Sequence, residues 1–315
     1  MKSRNSNSNA ASAGFTLLEL LVAMAITVAI VTILISITGV AMDAWTRSSA
    51  EVRAARQAKV FIDTMAKDFE SLVIRQGNNF EWLRAEIDAA ANLPKVTRNQ
   101  AGQSQAAALT FMTAATDRYL GQIGGQNDLG GDVSCVSYRL RYQDPIVGGT
   151  PQDTSTFVLY RLLVNPDETF QKLLGQKDLK TAFQPIVDRS TERQNFVCEN
   201  VHQFTITFLV EIMIEQPAGS GTMVPRTVGV TLSKDAPGSK ISLTGSGIQI
   251  YNTSTNMTGV TGEQLAAGRL RAVQISISVL SDAAIARRNA GDGLSDAGYS
   301  RNTFHYARMV QLPGL

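Results

Sequence analysis

Residues 15–42 read FTLLELLVAMAITVAIVTILISITGVAM, an apolar run in which Glu19 is the only charged side chain. A helix of about 20 apolar residues crosses the hydrocarbon core of a bilayer, so this run predicts a transmembrane helix. The segment before it, 1–14, reads MKSRNSNSNAASAG and carries Lys2 and Arg4. Positive charge on that side predicts a cytoplasmic amino terminus and export of everything behind the run.

Three kinds of segment place an apolar run near an amino terminus. A cleaved signal peptide has an apolar core of only ~7–15 residues, although Gly39-Val40-Ala41 resembles its small-residue exit. A signal anchor would simply tether an exported domain. The third kind must also explain Glu19, because an ionised carboxylate in a membrane costs about 3 kcal/mol and needs a partner.

The residues around Glu19 carry a family resemblance. Ala13–Met24, AGFTLLELLVAM, resembles the processing site of type IV prepilins and type II secretion pseudopilins. The resemblance implies that a prepilin peptidase cuts between Gly14 and Phe15 and methylates the new terminus at Phe15. Glu19 is then the fifth mature residue, and the Phe15 amine of the same chain or of a neighbouring subunit would neutralise its carboxylate in the apolar layer.

The helix is predicted to continue behind the membrane span. No Gly or Pro occurs from Ala44 to Gln76, and apolar side chains recur every three to four residues while charged ones follow another face. This periodicity predicts an amphipathic helix over 43–76, which Gly77 ends. The resemblance agrees, because the long helix of a pilin has its second half on a globular sheet.

The rest of the chain, 77–315, is predicted to be one exported α+β domain of mainly antiparallel β-sheet, as in pilins. Period-2 alternation predicts the strands, and a turn-rich link predicts a hairpin of the second and third of them. Short helices are predicted at Glu81–Ala91, before Pro94, and at Asp282–Asn289. The predicted strands are Ala108–Thr113, Val136–Tyr142, Phe157–Val164, Val201–Ile214, Arg226–Leu232, Ile241–Tyr251, Leu270–Leu280 and Phe304–Leu312.

Two of these strands refine the resemblance. Residues 135–142, CVSYRLRY, and 157–164, FVLYRLLV, are similar to the V-x-Y-x-L and L-Y-R strand pair of J-type minor pseudopilins and related minor pilins. The acid at Glu19 argues against the K-type tip subunit, which usually lacks it. The resemblance implies a minor component whose partners are prepilin peptidase, other pilins or pseudopilins, and the inner-membrane assembly platform with its ATPase.

Composition and motifs do not indicate catalysis or nucleic-acid binding. The net charge of +2 offers no basic footprint for nucleic acid. His202 and His305 have no further ligands at metal spacing and are interpreted as structural, and no G-x-S-x-G elbow occurs. Asp292, Ser295 and Asp296 suggest a cation loop, but the EF-hand pattern is missing. We therefore expect no enzyme activity, no metal and no cofactor.

The two cysteines are candidates for a disulfide. Cys135 and Cys198 both lie in strand-like segments, no third cysteine competes, and an exported domain enters an oxidising compartment. We expect them to pair. The alternative is two buried free thiols, because Cα atoms more than ~7 Å apart cannot be bridged.

These features together predict a minor pilin or pseudopilin, a structural subunit of a type II secretion pseudopilus or a type IV pilus-like filament. It would be a single-pass inner-membrane protein with a cytoplasmic amino terminus and a periplasmic or exported domain, and would join the filament after processing. The alternative is a signal-anchored exported binding or adhesive domain that forms no filament.

Overall fold

The fold is α+β, as predicted: one long helix precedes two antiparallel β-sheets. The computed structural model describes residues 16–99, 104–114, 131–149, 154–216, 219–233, 238–291 and 293–312. The chain divides into two compact units, Met1–Ser49 and Ala50–Leu315. The described part of the first unit is the apolar part of the helix. The second unit contains both sheets and the remainder of the helix.

Helix α1 runs from Leu17 to Glu70, 54 residues. In the first unit all of its described residues are exposed. In the second unit it buries one stripe at the three-to-four-residue spacing of an amphipathic helix, as the periodicity predicts. The buried stripe consists of Ala54, Ala58, Phe61, Ile62, Met65, Ala66, Asp68 and Phe69.

Helix α1 ends at Glu70, earlier than the predicted Gln76. The residues after it join a strand instead: the Val73 N–H donates to the Met112 carbonyl at 3.0 Å. Backbone pairing with a neighbouring strand replaces the helical hydrogen bonds here. The prediction that the helix continues to Gln76, which depended on the absence of Gly and Pro before Gly77, was therefore too long.

Two sheets account for the strands. Among the described residues, sheet 1 has seven strands in the order β5-β4-β3-β2-β1-β8-β9, and sheet 2 has five in the order β10-β7-β6-β11-β12. The strands are β1 Glu81–Leu93, β2 Ser104–Thr113, β3 Ser134–Gln143, β4 Thr156–Val164, β5 Phe196–Glu199, β6 Val201–Glu215, β7 Met223–Leu232, β8 Lys240–Thr244, β9 Gly247–Tyr251, β10 Thr253–Thr255, β11 Arg269–Leu280 and β12 Thr303–Gln311.

The predicted strands are confirmed, with one subdivision. Strands β3 and β4 form the predicted hairpin, in which Val136 pairs with Leu163 and Tyr142 with Phe157. The single strand predicted over Ile241–Tyr251 is two short antiparallel strands, β8 and β9. Each sheet pairing is antiparallel, as the fold class requires.

Short helices connect the strands. The predicted helix at Asp282–Asn289 is confirmed as α5, and Ser281 caps it by accepting the Ala284 N–H. The region 166–195, here called the helical segment, packs Leu173, Leu179, Phe183 and Ile186 against the outer face of sheet 1. The helices are α2 Pro166–Glu168, continued by π-helical Thr169–Leu173; α3 Leu179–Phe183, continued by 3-10 turns at Gln184–Thr191 and Arg193–Asn195; α4 Gly262–Ala266; α5; and α6 Asp296–Asn302.

The core of the second unit forms where α1 meets both sheets. Phe61 packs edge-to-face against Tyr138 of sheet 1 and against Phe204 of sheet 2, each with ring centroids 5.8 Å apart. About two helical turns after Phe61, Phe69 stacks on Phe111 with ring centroids 4.6 Å apart. Such aromatic pairs contribute about 0.5–1.5 kcal/mol each beyond the area they bury. The helix is therefore the element that joins the two sheets into one core.

The helix predicted at Glu81–Ala91 is wrong, because this segment is strand β1, paired on both sides with β2 and β8. Its Ala, Glu and Leu content favours a helix. It also alternates: Leu83 and Ala85 are fully buried, while Arg84 and Glu86 form a 2.9 Å salt bridge on the opposite face. Two rows of strand pairing outweigh helix propensities that differ by less than about 1 kcal/mol per residue.

The predicted disulfide is wrong as well, because Cys135 and Cys198 are free and buried. Cys135 lies in register with Val164 of β4, and Cys198 with Leu159. At about 3.3 Å per residue these positions are roughly 16 Å apart along β4, beyond the ~7 Å reach of a disulfide. Burial raises the pKa of the Cys135 thiol. Burial, and to a smaller extent the charge of Glu199, raises the pKa of the Cys198 thiol to about 12.

Candidate functional site

The start of α1 is a capping box. The Thr16 carbonyl accepts the Leu20 N–H at 3.2 Å, and the Thr16 hydroxyl accepts the Glu19 N–H at 3.2 Å. Glu19 Oε2 in return accepts the Thr16 N–H at 2.9 Å and the Thr16 hydroxyl at 3.0 Å. This reciprocal pattern satisfies helix N–H groups that have no partner within the helix. The negative charge of the carboxylate also interacts favourably with the positive end of the helix dipole.

Glu19 thus has a local partner that the sequence reasoning missed. The signal was present, since Thr16 and Glu19 are the T-x-x-E of a capping box. The predicted processing residues, Gly14 and Phe15, and the whole leader 1–14 lie outside the described residues.

Residues 17–42 expose a continuous apolar surface. The most apolar 18-residue window of α1 has a mean hydropathy of 2.9, and none of it is buried. By length and composition, α1 is the one helix of the described chain able to cross a membrane. At 1.5 Å per residue, 17–42 measures about 39 Å, longer than the ~30 Å hydrocarbon core of a bilayer.

Three threonine hydroxyls within this apolar run are satisfied inside the helix. Thr27, Thr32 and Thr38 each donate their hydroxyl to the carbonyl four residues earlier, at 2.8 Å. Hydroxyl groups bonded in this way can enter a bilayer without the cost of an unsatisfied donor. Behind the run stands Trp45, 73% exposed, a residue type that favours the membrane–water interface. Glu19 is the only charged group in the run.

At the other end of α1, Asp68 belongs to a buried polar network. Arg161 of β4 donates from Nε and Nη2 to the two Asp68 carboxylate oxygens, both at 2.7 Å. Tyr138 of β3 donates its hydroxyl to Asp68 Oδ2. Asp68 is 1% and Arg161 is 0% exposed. Burial, and next the Asp68 carboxylate, hold the pKa of Tyr138 well above its ordinary value, so the hydroxyl keeps its proton and donates.

This network uses two of the polar positions of the strand-pair pattern. Tyr138 is the Tyr of V-x-Y-x-L and Arg161 is the Arg of L-Y-R, and the two residues pair in register across β3 and β4. The helix supplies the third member, and Thr113 of β2 fixes the backbone there by donating its hydroxyl to the Asp68 carbonyl at 3.0 Å. The network therefore sets the register of α1 on sheet 1 within the second unit.

Each histidine makes a side-chain hydrogen bond to a hydroxyl group. His202 Nε2 lies 2.7 Å from the Tyr299 hydroxyl, and His305 Nδ1 lies 2.8 Å from the Ser278 hydroxyl. Within the described ranges no group of three His, Cys, Asp or Glu side chains is arranged to hold a metal ion.

The loop suggested as a cation site is only partly described. Asp292 lies outside the described residues. Ser295 accepts the Gly298 N–H at 3.2 Å as the cap of α6, and Asp296 accepts from the Asn99 amide at 3.1 Å. Both side chains therefore already have protein partners.

A long apolar amino-terminal helix followed by an antiparallel β domain is a pilin-like architecture. Comparisons with protein-family models, with curated proteins and with solved structures find no match to this chain. The description of the architecture as pilin-like therefore rests on the layout of the chain. Helix α1 is apolar and exposed in the first unit, and it is a core element of the second unit.

Proposed function

We propose that this protein is a minor pilin or pseudopilin, a structural subunit of a type II secretion pseudopilus or a type IV pilus-like filament. The observation that carries the proposal is the change of environment along α1. Its first part exposes apolar side chains all round, whereas its last turns bury a single stripe in a β domain. A helix that is apolar all round needs lipid or other helices around it, and a pilin uses each in turn.

The proposed life cycle follows from the sequence motif. Prepilin peptidase would cut after Gly14 and methylate Phe15, and the inner-membrane platform and ATPase would then move the subunit into the filament with other pilins or pseudopilins. The protein would be a single-pass inner-membrane protein with an exported domain, and not an enzyme. The resemblance of Ala13–Met24 and of the strand pair on β3 and β4 supports this proposal.

The second candidate, a signal-anchored binding domain, is favoured by one observation. The Thr16–Glu19 capping box provides Glu19 with a function that needs no neighbouring subunit. If capping is all that Glu19 does, the apolar helix is only a tether.

Intact-mass measurement of the protein purified from membranes tests the processing step. We expect a chain that begins at Phe15 and carries one methyl group. An uncut chain would contradict the pilin proposal and favour the tether. A chain beginning near Ala41 would identify an ordinary signal peptide.

Three substitutions separate assembly from capping. Glu19→Gln keeps the capping box, since Gln serves at that position too, but loses the charge that would neutralise the Phe15 amine. Thr16→Val loses the capping hydroxyl and keeps the carboxylate. We expect Glu19→Gln and Glu19→Ala to block filament entry, and Thr16→Val to permit it.

The two costs differ enough to be distinguished. A lost cap costs about 0.5–2 kcal/mol, whereas an unpaired charge in an apolar layer costs several kcal/mol, more than about a hundredfold in an assembly equilibrium. The readout is co-purification of partner pilins at matched membrane levels, with processing checked by mass. If Glu19→Gln recovers as many partners as wild type, the charge has no part in assembly and the tether is the better account.

A further inference from the structure

A cavity of about 470 Å³ lies on the outer face of sheet 1, between strands β1 and β3 and the helical segment. This volume falls in the ~300–1,000 Å³ range typical of small-molecule sites. We call it the sheet-1 cavity. Charged side chains from the strands form its floor, and the helical segment adds apolar side chains, among them Phe183 and Val187.

Two arginines and one carboxylate organise the floor. Arg139 and Arg141 of β3 reach across β2 and both donate through Nη1 to the same oxygen, Asp88 Oδ2, at 3.1 and 2.5 Å. The intervening strand carries Ala106 in register with Asp88, and Ala108 follows on the same face. Small side chains on β2 thus leave room both for the crossing arginines and for the cavity above them.

The positive charge of Arg139 is poorly compensated compared with a neighbouring arginine. Arg139 shares the Asp88 carboxylate with Arg141, and its Nε is buried without a hydrogen-bond partner among the residues that the structure describes. Burial, together with the neighbouring Arg141, lowers the pKa of Arg139, although the Asp88 and Glu86 carboxylates raise it. Burial also acts to lower the pKa of the neighbouring Arg84, but there the nearby carboxylates outweigh it and the pKa is raised. Those carboxylates, at 3.3, 2.9 and 2.9 Å, are Glu81, Glu86 and Asp178.

We propose that the sheet-1 cavity binds an organic carboxylate carried on an apolar stem. The carboxylate oxygens accept from the N–H groups that Arg139 and Arg141 present to the cavity, where these side chains are 12% and 16% exposed, and the stem packs on Phe183 and Val187. A guanidinium and a carboxylate form short, charge-assisted hydrogen bonds. The Phe183 ring lies 5.7 Å from the guanidinium carbon of Arg139 and holds that group in place.

Acidic side chains in the lining do not reverse this preference. Glu86 forms salt bridges with Arg84 at 2.9 Å and with Lys180 at 3.2 Å, and these cations offset part of its charge, although Glu86 also raises the pKa of Arg139. Asp188 is exposed, and solvent and salt screen it. The site belongs entirely to the Ala50–Leu315 unit. It therefore holds whether or not the apolar helix enters a filament.

Binding of small probes to the full chain in detergent micelles tests the proposal. Benzoate represents a free acid, and benzamide has the same ring without the charge. A blocked pentapeptide with one glutamate between two phenylalanines represents a carboxylate presented by another protein, and its glutamine version is the neutral control. We expect saturable binding of at least one acid, about tenfold or more tighter than its neutral counterpart. The tighter acid identifies the source, and the proposal is overturned when neither acid exceeds its control.

A variant pair locates the binding. Arg139→Gln should weaken the acid about tenfold or more, whereas Arg271→Gln, which removes an arginine paired with Glu211 at 2.7 Å in sheet 2, should leave affinity within about twofold. Equal affinity of Arg139→Gln and wild type overturns the assignment to this cavity. The comparison of acid with neutral probe uses wild type alone, so the test stands even where Arg139→Gln does not fold.

Discussion

Replacing Asp68 with alanine is expected to cost the Ala50–Leu315 unit about 3–5 kcal/mol of unfolding free energy. The loss follows from what is left behind. Arg161, 0% exposed, loses both 2.7 Å bonds to a carboxylate, and the buried Tyr138 hydroxyl loses its acceptor. An uncompensated buried charge is far more costly than the net stabilisation the intact pair provides.

Asp63 on the same helix is the matched control. It forms a salt bridge with Arg308 at 2.5 Å, but both side chains are 43% exposed. Solvent screens such a pair, so Asp63→Ala should cost less than about 1 kcal/mol. The two substitutions remove the same group from the same helix and differ in burial of the partner.

Thermal unfolding of the full chain in detergent measures the difference. Trp82, 3% exposed and packed in the cluster under the helical segment, reports on the second unit. A Trp45→Phe background removes the exposed tryptophan of the first unit. At about 2–4 °C per kcal/mol, Asp68→Ala should lower Tm by roughly 6–20 °C and Asp63→Ala by less than about 4 °C.

Removing both charges of the Asp68–Arg161 pair tests the same reasoning more stringently. Arg161→Met alone should be costly because it leaves Asp68 buried without its guanidinium. Combining it with Asp68→Leu should recover much of the loss, since apolar replacement of a buried ion pair is often neutral or stabilising. If Asp68→Ala and Asp63→Ala cost the same within about 0.5 kcal/mol, apolar packing alone holds the helix and the reasoning is refuted.

Three further outcomes can be checked on the same protein. Burial and the Asp68 carboxylate raise the pKa of Tyr138, so this hydroxyl loses its proton at a lower pH in the unfolded chain than in the folded one. The free energy of unfolding should therefore fall above about pH 10, and it should fall less steeply in Tyr138→Phe. Denaturant titrations at a series of pH values measure this. Thiol counting without reductant should find Cys135 and Cys198 unreactive in the native protein and both free after denaturation; fewer than two would restore the disulfide. Gly245→Ala should destabilise by about 1–3 kcal/mol, because a Cβ there lies 2.5 Å from a backbone oxygen, whereas Gly262→Ala, with open space, should be neutral by Tm.

The fold could be predicted wherever one period dominated the sequence. Strands β6 and β11 alternate clearly, and α1 has an uninterrupted apolar and then amphipathic pattern. Glu81–Ala91 carries two patterns at once, helix-forming composition and strand alternation, and only its pairing on both sides decides between them. The disulfide failed for a related reason: two strand-like cysteines say nothing about how far apart the sheet places them.

The candidate sites divide in the same way. Thr16 and Glu19 are three residues apart, so their capping box is legible in the sequence. Asp68 and Arg161 are separated by 93 positions and meet only because α1 lies over β4 with one particular rotation. The crossing of Arg139 to Asp88 depends equally on an alanine in the strand between them. Contacts of this kind follow from register and rotation, which no local pattern encodes.

In the apolar run of α1, Glu19 is the only charged group that could define how neighbouring subunits would align. The hydroxyls of Thr27, Thr32 and Thr38 are bonded to the helix's own carbonyls, so they offer no directional contact to another chain. Gly39 has nothing within 4 Å of the position a Cβ would take, and the aliphatic side chains around it are non-directional. Apolar packing alone permits sliding, because each register buries similar area. A single charged group in such a surface makes one register much better than the rest, which is the role a buried polar residue has in coiled coils. In the proposed filament, the apolar surface would supply most of the free energy of assembly, and Glu19 would supply the alignment.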